Sequence, residues 1–298
     1  MTPRSTTIPS RIVDAHVHLW DPAQADWYPY LARPQVHGIG EGAGDPGRMG
    51  RRFDVATYQT EAGAWPVHKL VNVAAATGGH SVDETIALDA GAAASGHGHP
   101  DAIVGGLPPA DTVAEAIAAL DAQMAAPRFR GVRQMGGLDR PVPPPEVLRA
   151  LAERSLVFDL MAHPDQLESA AAALEGTDGL TVVVEHTGWP RADTDEERAL
   201  WRKGIAALAG LGDHVVCKLS GLAMPLQCMR VDAFTPWLEH AIEVFGPDRC
   251  MFASNFPVDS VYGTFDELYS VFSEVTAGLD DQSRDRLFAA TAERVYRL

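Results

Sequence analysis

The sequence predicts an α/β protein built as a closed (β/α)₈ barrel of the TIM type. Eight short apolar runs rich in β-branched residues recur along the 298 residues, and segments with helical periodicity lie between them. Several of these runs lack a polar alternate face, as expected of parallel strands that are covered on both sides. Eight alternating units favour a barrel over an open doubly wound sheet. We therefore expect a single barrel domain over residues 1–298.

The predicted strands are easily located by their apolar runs. In chain order they are "IVDAH" from residue 12, "KLVNVAAA" from 69, "AIVGGL" from 102, "RGVR" from 130, "LVFDLMA" from 156, "LTVVVEH" from 180, "HVVCKL" from 214 and "CMFAS" from 250. Helical periodicity is clearest in "TVAEAIAALDAQMAA" from 112, "PPEVLRALAER" from 144 and "HPDQLESAAAALEGTDG" from 163. Proline near their starts and glycine at the end of the third are ordinary helix boundary signals.

One segment, residues 21–53, breaks this rhythm because it is rich in glycine, proline and aromatic residues. We interpret it as a long loop inserted after the first strand. In a barrel such a loop lies on the face where ligands bind, so we expect it to serve as a lid or a pocket wall. A flexible insertion without function is the alternative.

Composition excludes several classes of protein. The formal net charge is −16, and no run of lysine and arginine could follow a phosphate backbone, which argues against nucleic acid as a partner. No stretch reaches the roughly 20 apolar residues of a membrane span, and the N-terminal residues do not resemble a signal peptide. The three cysteines lack the CxxC spacing of zinc or redox sites and read as reduced. We expect a cytoplasmic protein that does not bind membranes.

Polar residues gather at the predicted strand ends. His16 and His18 stand two apart after the first run, so an extended strand would project both imidazoles to one face. Barrel enzymes draw their catalytic groups from the carboxyl ends of the strands. The other residues at such ends are Arg133, Gln134, His163, Glu185, His186, Lys218, Ser220, Ser254, Asn255 and Asp259.

Each of these residues also has a simpler structural explanation. A single histidine at a strand end is more often a hydrogen-bonded structural group, and Lys218 could extend to solvent. Asp14 and Glu185 neighbour the candidate histidines in sequence. We expect strand alternation to turn these acids to the other side, or else that they orient an imidazole from behind. Convergence of several residues after different strands is what favours a site.

At "VDAHVHLWDP" the chain resembles the amidohydrolase superfamily, and the resemblance continues through "RGVRQ", "VVVEHTGWP", "CKLSGL" and "RCMFASNFPVD". Together these motifs are similar to the amidohydrolase-2 branch, with its fuconolactonase-like and pyrone-dicarboxylate-lactonase-like hydrolases. The resemblance implies a distorted barrel that opens a lactone, or a related ester or amide, of a small acidic or sugar-derived substrate by adding activated water. It implies catalytic roles for His16, His18 and His186, and substrate binding by Arg133. We add Gln134, Trp20 and Lys218 as substrate-binding residues.

The last strand departs from the family pattern, because Asn255 stands where most members have an aspartate. An amide has no basic form near neutral pH, so Asn255 cannot be the general base. It can still hydrogen-bond a water molecule. We expect Asn255 and Asp259 to position water, and the candidates for the base are Asp259, His186 and His163.

The need for a metal stays open at this point. Relatives that bind one divalent ion resemble this chain in their histidine pair and in a further histidine, so His16, His18 and His163 would be the ligands of a zinc ion. Three neutral imidazoles plus water make a sound zinc site. Against this, parts of the lactonase branch work without metal, and the missing aspartate removes an anionic ligand. One divalent ion or none are both compatible with the sequence.

Two other functions remain as alternatives: a metal-dependent decarboxylase of the same superfamily, and a barrel that binds a small molecule without catalysis. The partner in every case is a small molecule. Exposed loops rich in tryptophan and proline also leave room for a homodimer.

Overall fold

The computed structural model describes residues 8–32, 44–134 and 139–298. Eight parallel strands form one sheet whose spatial order follows the chain order, β1 to β8. They are β1 Ile12–Val17, β2 Val67–Val73, β3 Ala102–Leu107, β4 Phe129–Gln134, β5 Val157–Leu160, β6 Val182–Val184, β7 Val215–Leu219 and β8 Cys250–Phe252. Each predicted strand is present, although β6 and β8 are shorter than their apolar runs.

Helices connect the strands. They are α1 Val55–Ala62, α2 His80–Ser95, α3 Val113–Gln123, α4 Pro145–Glu153, α5 Leu167–Ala173, α6 Asp195–Ala209, α7 Ala223–Leu226, α8 Val231–Phe245, α9 Phe265–Val275, α10 Asp281–Asp285 and α11 Thr291–Tyr296. The start predicted near residue 112 is a capping box in which Thr112 and Glu115 satisfy each other's backbone amides. Of the helices in the described ranges, none is both long and apolar enough to cross a bilayer.

The sheet closes between its first and last strands, just beyond β8. Val17 and Phe256 form a parallel bridge. The amide of His18 donates to the carbonyl of Phe256 at 2.8 Å, and the amide of Asn255 donates to the carbonyl of His16 at 2.8 Å. The barrel is therefore nearly closed, which confirms the predicted fold class. This closure also brings the ends of β1 and β8 together, where the candidate site lies.

Alternate strand residues separate two hydrophobic cores. One core fills the barrel, mainly with valine and alanine side chains from the strands. Its members in the strands, and directly after β8, are Val13, Ala15, Val71, Val73, Ala102, Val104, Val157, Val183, Val216, Met251 and Ala253. The other core lies between the strands and the surrounding helices. Helix α11 adds Val295 and Tyr296 to the first core. It lies at the amino ends of the strands, where Glu293 pairs with Arg11.

A bulge in β1 decides which side chains face the barrel interior. The register with β2 shifts between Asp14 and Val17. Ala15 belongs to the interior core, whereas Asp14 turns outward and accepts a 2.7 Å hydrogen bond from Tyr58 of α1. Asp14 does turn away from the histidines, but the expected reason is wrong. Strict alternation would place Asp14 on the same face as His16, two residues later, and the bulge between them separates the two side chains.

The loop over residues 21–53 is pinned at its base, because Trp20 and Phe53 exchange backbone hydrogen bonds of 3.0 and 2.9 Å. Residues 33–43 lie outside the described ranges. In the described part, the indole of Trp20 stacks on His18 with ring centroids 5.7 Å apart, and Tyr30 packs edge-on against Trp20 at 6.3 Å. These aromatic residues form a wall beside His18.

Candidate functional site

Three histidines from two distant parts of the sequence meet at the carboxyl end of the barrel. The ring centroid of His16 lies 4.8 Å from that of His18 and 4.6 Å from that of His186. All three side chains are buried. His16 and His18 follow the β1 bulge, and His186 follows β6. The structure thus brings the two motifs "HVH" and "EHTG" to one point.

The two β1 histidines face each other through their Nε2 atoms, which are 3.2 Å apart. On the far side of its ring, Nδ1 of His18 lies 2.7 Å from the carbonyl oxygen of Val73. A carbonyl can only accept, so neutral His18 carries its proton on Nδ1 and exposes the Nε2 lone pair. The ring of His18 is therefore fixed in one orientation.

The environment keeps all three imidazoles neutral near pH 7. Burial, reinforced by Lys218, holds the pKa of His16 well below its ordinary value. Burial and then Arg133 do the same to the pKa of His18 and of His186. Neutral imidazoles can accept a proton or bind a metal ion, and protonated ones can do neither.

The chain turns sharply to bring His186 inside. His186 and Thr187 both adopt left-handed backbone conformations, with φ of 52° and 56°. Non-glycine residues in this region are strained, and such strain concentrates at functional sites. Nδ1 of His186 lies 3.0 Å from Oγ of Ser220. A Cβ added to Gly221 would meet Nδ1 and Cγ of His186 at 2.7 Å, so only glycine fits beside this ring.

Arg133 and Glu185 form a buried ion pair beside the histidines. Nη1 of Arg133 donates to Oε2 of Glu185 at 3.3 Å, and Nη2 donates to the carbonyl of Ala74. Oε1 of Glu185 lies 3.5 Å from Nδ1 of His16. Glu185 therefore does not turn away from the site, which corrects the alternation argument: the left-handed turn after β6 admits both Glu185 and His186. Its place matches the other expectation, an acid behind an imidazole.

Several buried polar atoms in this region lack a hydrogen-bond partner among the described residues. They are Nε of Arg133, Oε1 of Glu185, Oδ1 of Asn255 and Oδ2 of Asp259. Buried polar atoms in native proteins are nearly always satisfied. The first three belong to residues beside the histidines and indicate a place built for water or a ligand.

Asn255 stands at the end of β8 in a left-handed conformation, with φ of 57°. Its Nδ2 donates a 2.8 Å hydrogen bond to Oδ1 of Asp259. Asp259 is fully buried, and burial raises its pKa to about 7. Asp259 contacts the side-chain amide of Asn255 and the backbone of Ala223, and no described contact joins it to a histidine. It therefore supports Asn255 from behind.

The residues predicted to bind substrate have different surroundings. Trp20 covers His18, as described above. Gln134 is half-buried, and its Nε2 donates to the carbonyl of Arg140 at 2.7 Å. Lys218 does not extend to solvent: it has no exposed surface, and its Nζ lies 2.6 Å from Oδ2 of Asp159.

His163 lies at the rim of the site. Its ring packs against Trp189 with centroids 4.4 Å apart, and its Nδ1 lies 3.0 Å from the carbonyl oxygen of Trp189. Trp189 in turn packs against His186 at 6.0 Å. The described contacts of His163 therefore connect it to the site through Trp189.

The side chains that could hold a metal ion differ from the predicted trio. In the described ranges, one group of three potential ligand atoms lies within 4.8 Å, contributed by His16, Glu185 and His186. His163 is not in it. Neutral imidazoles and a carboxylate with a partnerless oxygen fit a divalent cation such as zinc.

Sequence reasoning missed Asp159 and Tyr296, which hold Lys218 beside His16. Asp159 carried a signal, since it is a single acid inside an apolar strand run. Tyr296 carried none, because its contact depends on how the last helix packs. Its hydroxyl donates to Asp159 at 3.0 and 3.2 Å.

Comparison with known proteins agrees with this geometry. A family model described as amidohydrolase matches residues 13–298. An uncharacterized protein of Sinorhizobium fredii, y4mH, is 31% identical over 304 residues, covering 96% of this chain and 98% of its own. An L-fucono-1,5-lactonase of Burkholderia multivorans is 32% identical over 159 residues, covering 50% of this chain and 53% of its own.

Solved structures include a crystal structure of an amidohydrolase from Burkholderia multivorans with bound zinc. It has a TM-score of 0.77 and 26% identity, and the match covers 97% of this chain and all of that one. The match to the family model over nearly the whole sequence, together with the histidine pair at the end of β1, decides the assignment. The chain belongs to the amidohydrolase-2 family.

Proposed function

We propose that the protein hydrolyses a lactone, or a related ester or amide, of a small acidic or sugar-derived molecule. The proposal is supported by three neutral histidines around one point, by a buried arginine with an unused donor, and by partnerless acceptors beside them. Distant relatives named as lactonases agree with it. Hydrolysis needs an activated water, donors at the developing oxyanion and an anchor for the substrate.

His186 is the group best placed to accept the proton of the attacking water. Ser220 holds its Nδ1 at 3.0 Å, which leaves Nε2 for the water. Nε2 also lies 3.9 Å from Oε2 of Glu185, so a carboxylate is at hand when the ring becomes positively charged. The same proton can then pass to the leaving alkoxide, as general acid and base catalysis requires.

His16 and His18 provide the electrophilic side of the site. Their Nε2 atoms face each other at the end of β1. The Nε2 atom that carries a hydrogen can donate it to a carbonyl oxygen. A donor fixed by burial stabilises the negative charge that develops on that oxygen, and it does so without reorganisation.

Arg133 is the anchor for the substrate. Two of its nitrogens are occupied by Glu185 and Ala74, but Nε has no partner among the described residues. A guanidinium fixed in this way suits the carboxylate or ring oxygens of an acidic or sugar-derived lactone.

Asn255 positions the water. Asp259 accepts from Nδ2 of Asn255, which fixes the amide and leaves its Oδ1 as an acceptor for a water molecule. This arrangement replaces the aspartate of most family members by an acceptor that orients water without taking its proton.

His16, Glu185 and His186 would hold a divalent ion. When bound there, such an ion would polarise the substrate carbonyl and lower the pKa of a water molecule. The positive charge of Arg133 lies beside Glu185, and that of Lys218 lies beside His16. Both charges would repel a bound metal ion. Within the proposal, the histidines, Arg133 and Asn255 bind, orient and move protons as described above.

The observation that carries the proposal is the meeting of His16, His18 and His186 at one point. The test is a panel of sugar lactones and of lactones bearing a carboxylate, followed by acid release, with metal content measured on the same samples. The wild type should hydrolyse at least one of them, and His16→Ala should not. His214→Ala, directly before β7 at the opposite end of the barrel, is the matched control and should keep its rate.

The same panel separates the other functions. Release of CO₂ from an aromatic or enoic acid, without lactone hydrolysis, would make the protein a decarboxylase. Tight ligand binding without turnover would make it a binding protein. Either result would overturn the proposal.

A further inference from the structure

A chain of buried polar groups runs from the last helix to the site, and the mechanism above does not use it. The hydroxyl of Tyr296 donates to both oxygens of Asp159. Asp159 accepts from Nζ of Lys218 at 2.6 Å, and the same Nζ lies 3.4 Å from Nδ1 of His16. Asp159, Lys218 and Tyr296 have no exposed surface.

Stability alone does not account for this chain. Removing two charges from water is costly, and replacing a buried ion pair by apolar side chains of similar size is often neutral or stabilising. The interior core around this pair is formed mainly by valine and alanine side chains. A lysine in that core, with its ammonium directed at a site histidine, indicates a role in the site.

The two β1 histidines show what that role is. His18 carries its proton on Nδ1, because its partner there is the carbonyl of Val73. Its Nε2 therefore presents a lone pair to Nε2 of His16, 3.2 Å away. These two atoms form a hydrogen bond only when His16 carries its own proton on Nε2.

In that tautomer, Nδ1 of His16 needs a donor. Two groups lie near it: Nζ of Lys218 at 3.4 Å, which only donates, and Oε1 of Glu185 at 3.5 Å, which as a carboxylate only accepts. Lys218 therefore supports a proton on Nε2, and Glu185 supports a proton on Nδ1. The lone pair that His18 presents to Nε2 of His16 agrees with the tautomer that Lys218 supports.

We propose that Lys218, held in place by Asp159 and Tyr296, is a positioning residue that fixes His16 in the tautomer with its proton on Nε2. His16 then carries its hydrogen-bond donor on the atom that faces His18, where a substrate oxygen can share it. In the opposite tautomer, His16 and His18 would both present lone pairs, which is the arrangement that ligates a cation. Lys218 thus selects the donor role of His16 over the ligand role.

The consequence for catalysis rests on the proposed function, whereas the tautomer itself does not. A donor at Nε2 of His16 acts on the oxyanion, so losing Lys218 should lower kcat more than it changes KM. A purely structural role for the lysine would not move the proton from one nitrogen of His16 to the other.

The test is long-range ¹H–¹⁵N NMR of the full chain labelled at histidine nitrogens, in metal-free buffer near neutral pH. The His16 signals are assigned from a His16→Gln variant. Wild type should show a protonated Nε2 and a bare Nδ1 on His16, and Lys218→Met should reverse the two. A protonated Nδ1 in wild type, or an unchanged pattern in Lys218→Met, would overturn the proposal.

Lys218→Met leaves Asp159 buried without its partner and could unfold the chain. The double variant Lys218→Met with Asp159→Asn removes both charges and should show the same reversal. Tyr269→Phe is the matched control, because the Tyr269 hydroxyl is buried and has no partner among the described residues; its His16 signals should equal those of wild type. If no lactone is hydrolysed, the proposed function fails while the NMR result still decides this inference.

Discussion

The side-chain amide of Asn255 donates a 2.8 Å hydrogen bond to the buried carboxylate of Asp259. Asn255→Asp would place two carboxylates at this distance, so they must share a proton or repel each other. We expect the variant to lose about 1–3 kcal/mol of unfolding free energy, as for a lost buried hydrogen bond, and to hydrolyse lactones no faster than wild type. Thermal unfolding and the lactone assay measure the two effects.

The exchange of both residues, Asn255→Asp with Asp259→Asn, is the matched control. It restores one amide and one carboxylate, so most of the lost stability should return. Lactone hydrolysis that appears only in the Asn255→Asp variants would show that the natural protein is a binder.

A second prediction concerns the pH dependence of stability. Burial raises the pKa of Asp259 to about 7 from an ordinary 3.8, so the folded state keeps this proton where the unfolded state has lost it. The stabilisation is complete below the unfolded pKa and is lost as pH rises through about 7. As the pH rises from 3.8 to about 7, the stability of Asp259→Asn relative to wild type should therefore increase. The increase in unfolding free energy should reach about 4 kcal/mol. Urea unfolding over that pH range measures the difference, and a constant difference would contradict the assigned pKa.

Gly221 provides a third prediction. Gly221→Ala should displace the His186 ring, because the new Cβ would lie 2.7 Å from its Cγ. We expect lactone hydrolysis to fall by about tenfold or more, since small misplacements of catalytic groups are costly. Gly176→Ala is the matched control: Gly176 also has a positive φ, of 77°, but an added Cβ meets nothing within 4 Å. Equal activity in the two variants would mean that Gly221 does not hold His186.

The ion pair between Arg133 and Glu185 provides a fourth prediction. Arg133→Met leaves Glu185 buried without its cation and should cost about 3–5 kcal/mol of unfolding free energy. Arg133→Met should also raise KM for lactones that carry a carboxylate above the wild-type value. Adding Glu185→Gln removes the unpaired charge, so stability should largely return while KM stays above that of wild type. Chemical denaturation and steady-state kinetics measure these quantities. An unchanged KM in the double variant would remove Arg133 from the substrate site.

Much of this arrangement could be predicted from the sequence, because local pattern determines it. Apolar runs that end in polar residues identified His16, His18 and His186 as site residues, since the carboxyl ends of parallel strands lie on one face of a barrel. Period-two alternation failed where the backbone is irregular. The β1 bulge changes the direction of side chains after Asp14, and the left-handed turn after β6 admits Glu185 beside His186.

Contacts between distant segments could not be predicted from pattern. Lys218 carried no sign that its ammonium would meet Asp159, since that contact spans the barrel interior from β7 to β5. His163 follows the fifth predicted strand as expected. The carbonyl of Trp189, which lies in the irregular segment after β6, is its partner at Nδ1.

In the proposed reaction, His186 is the base for a water molecule that attacks a lactone bound beside His16 and His18. The most direct test is kcat/KM for the best lactone substrate in His186→Gln, a variant that keeps a polar side chain but cannot take up a proton. We expect kcat/KM to fall by at least about 100-fold while thermal unfolding stays the same as in wild type. Removal of a general base lowers the rate far more than twofold. A kcat/KM within about twofold of wild type would therefore show that His186 is not the base.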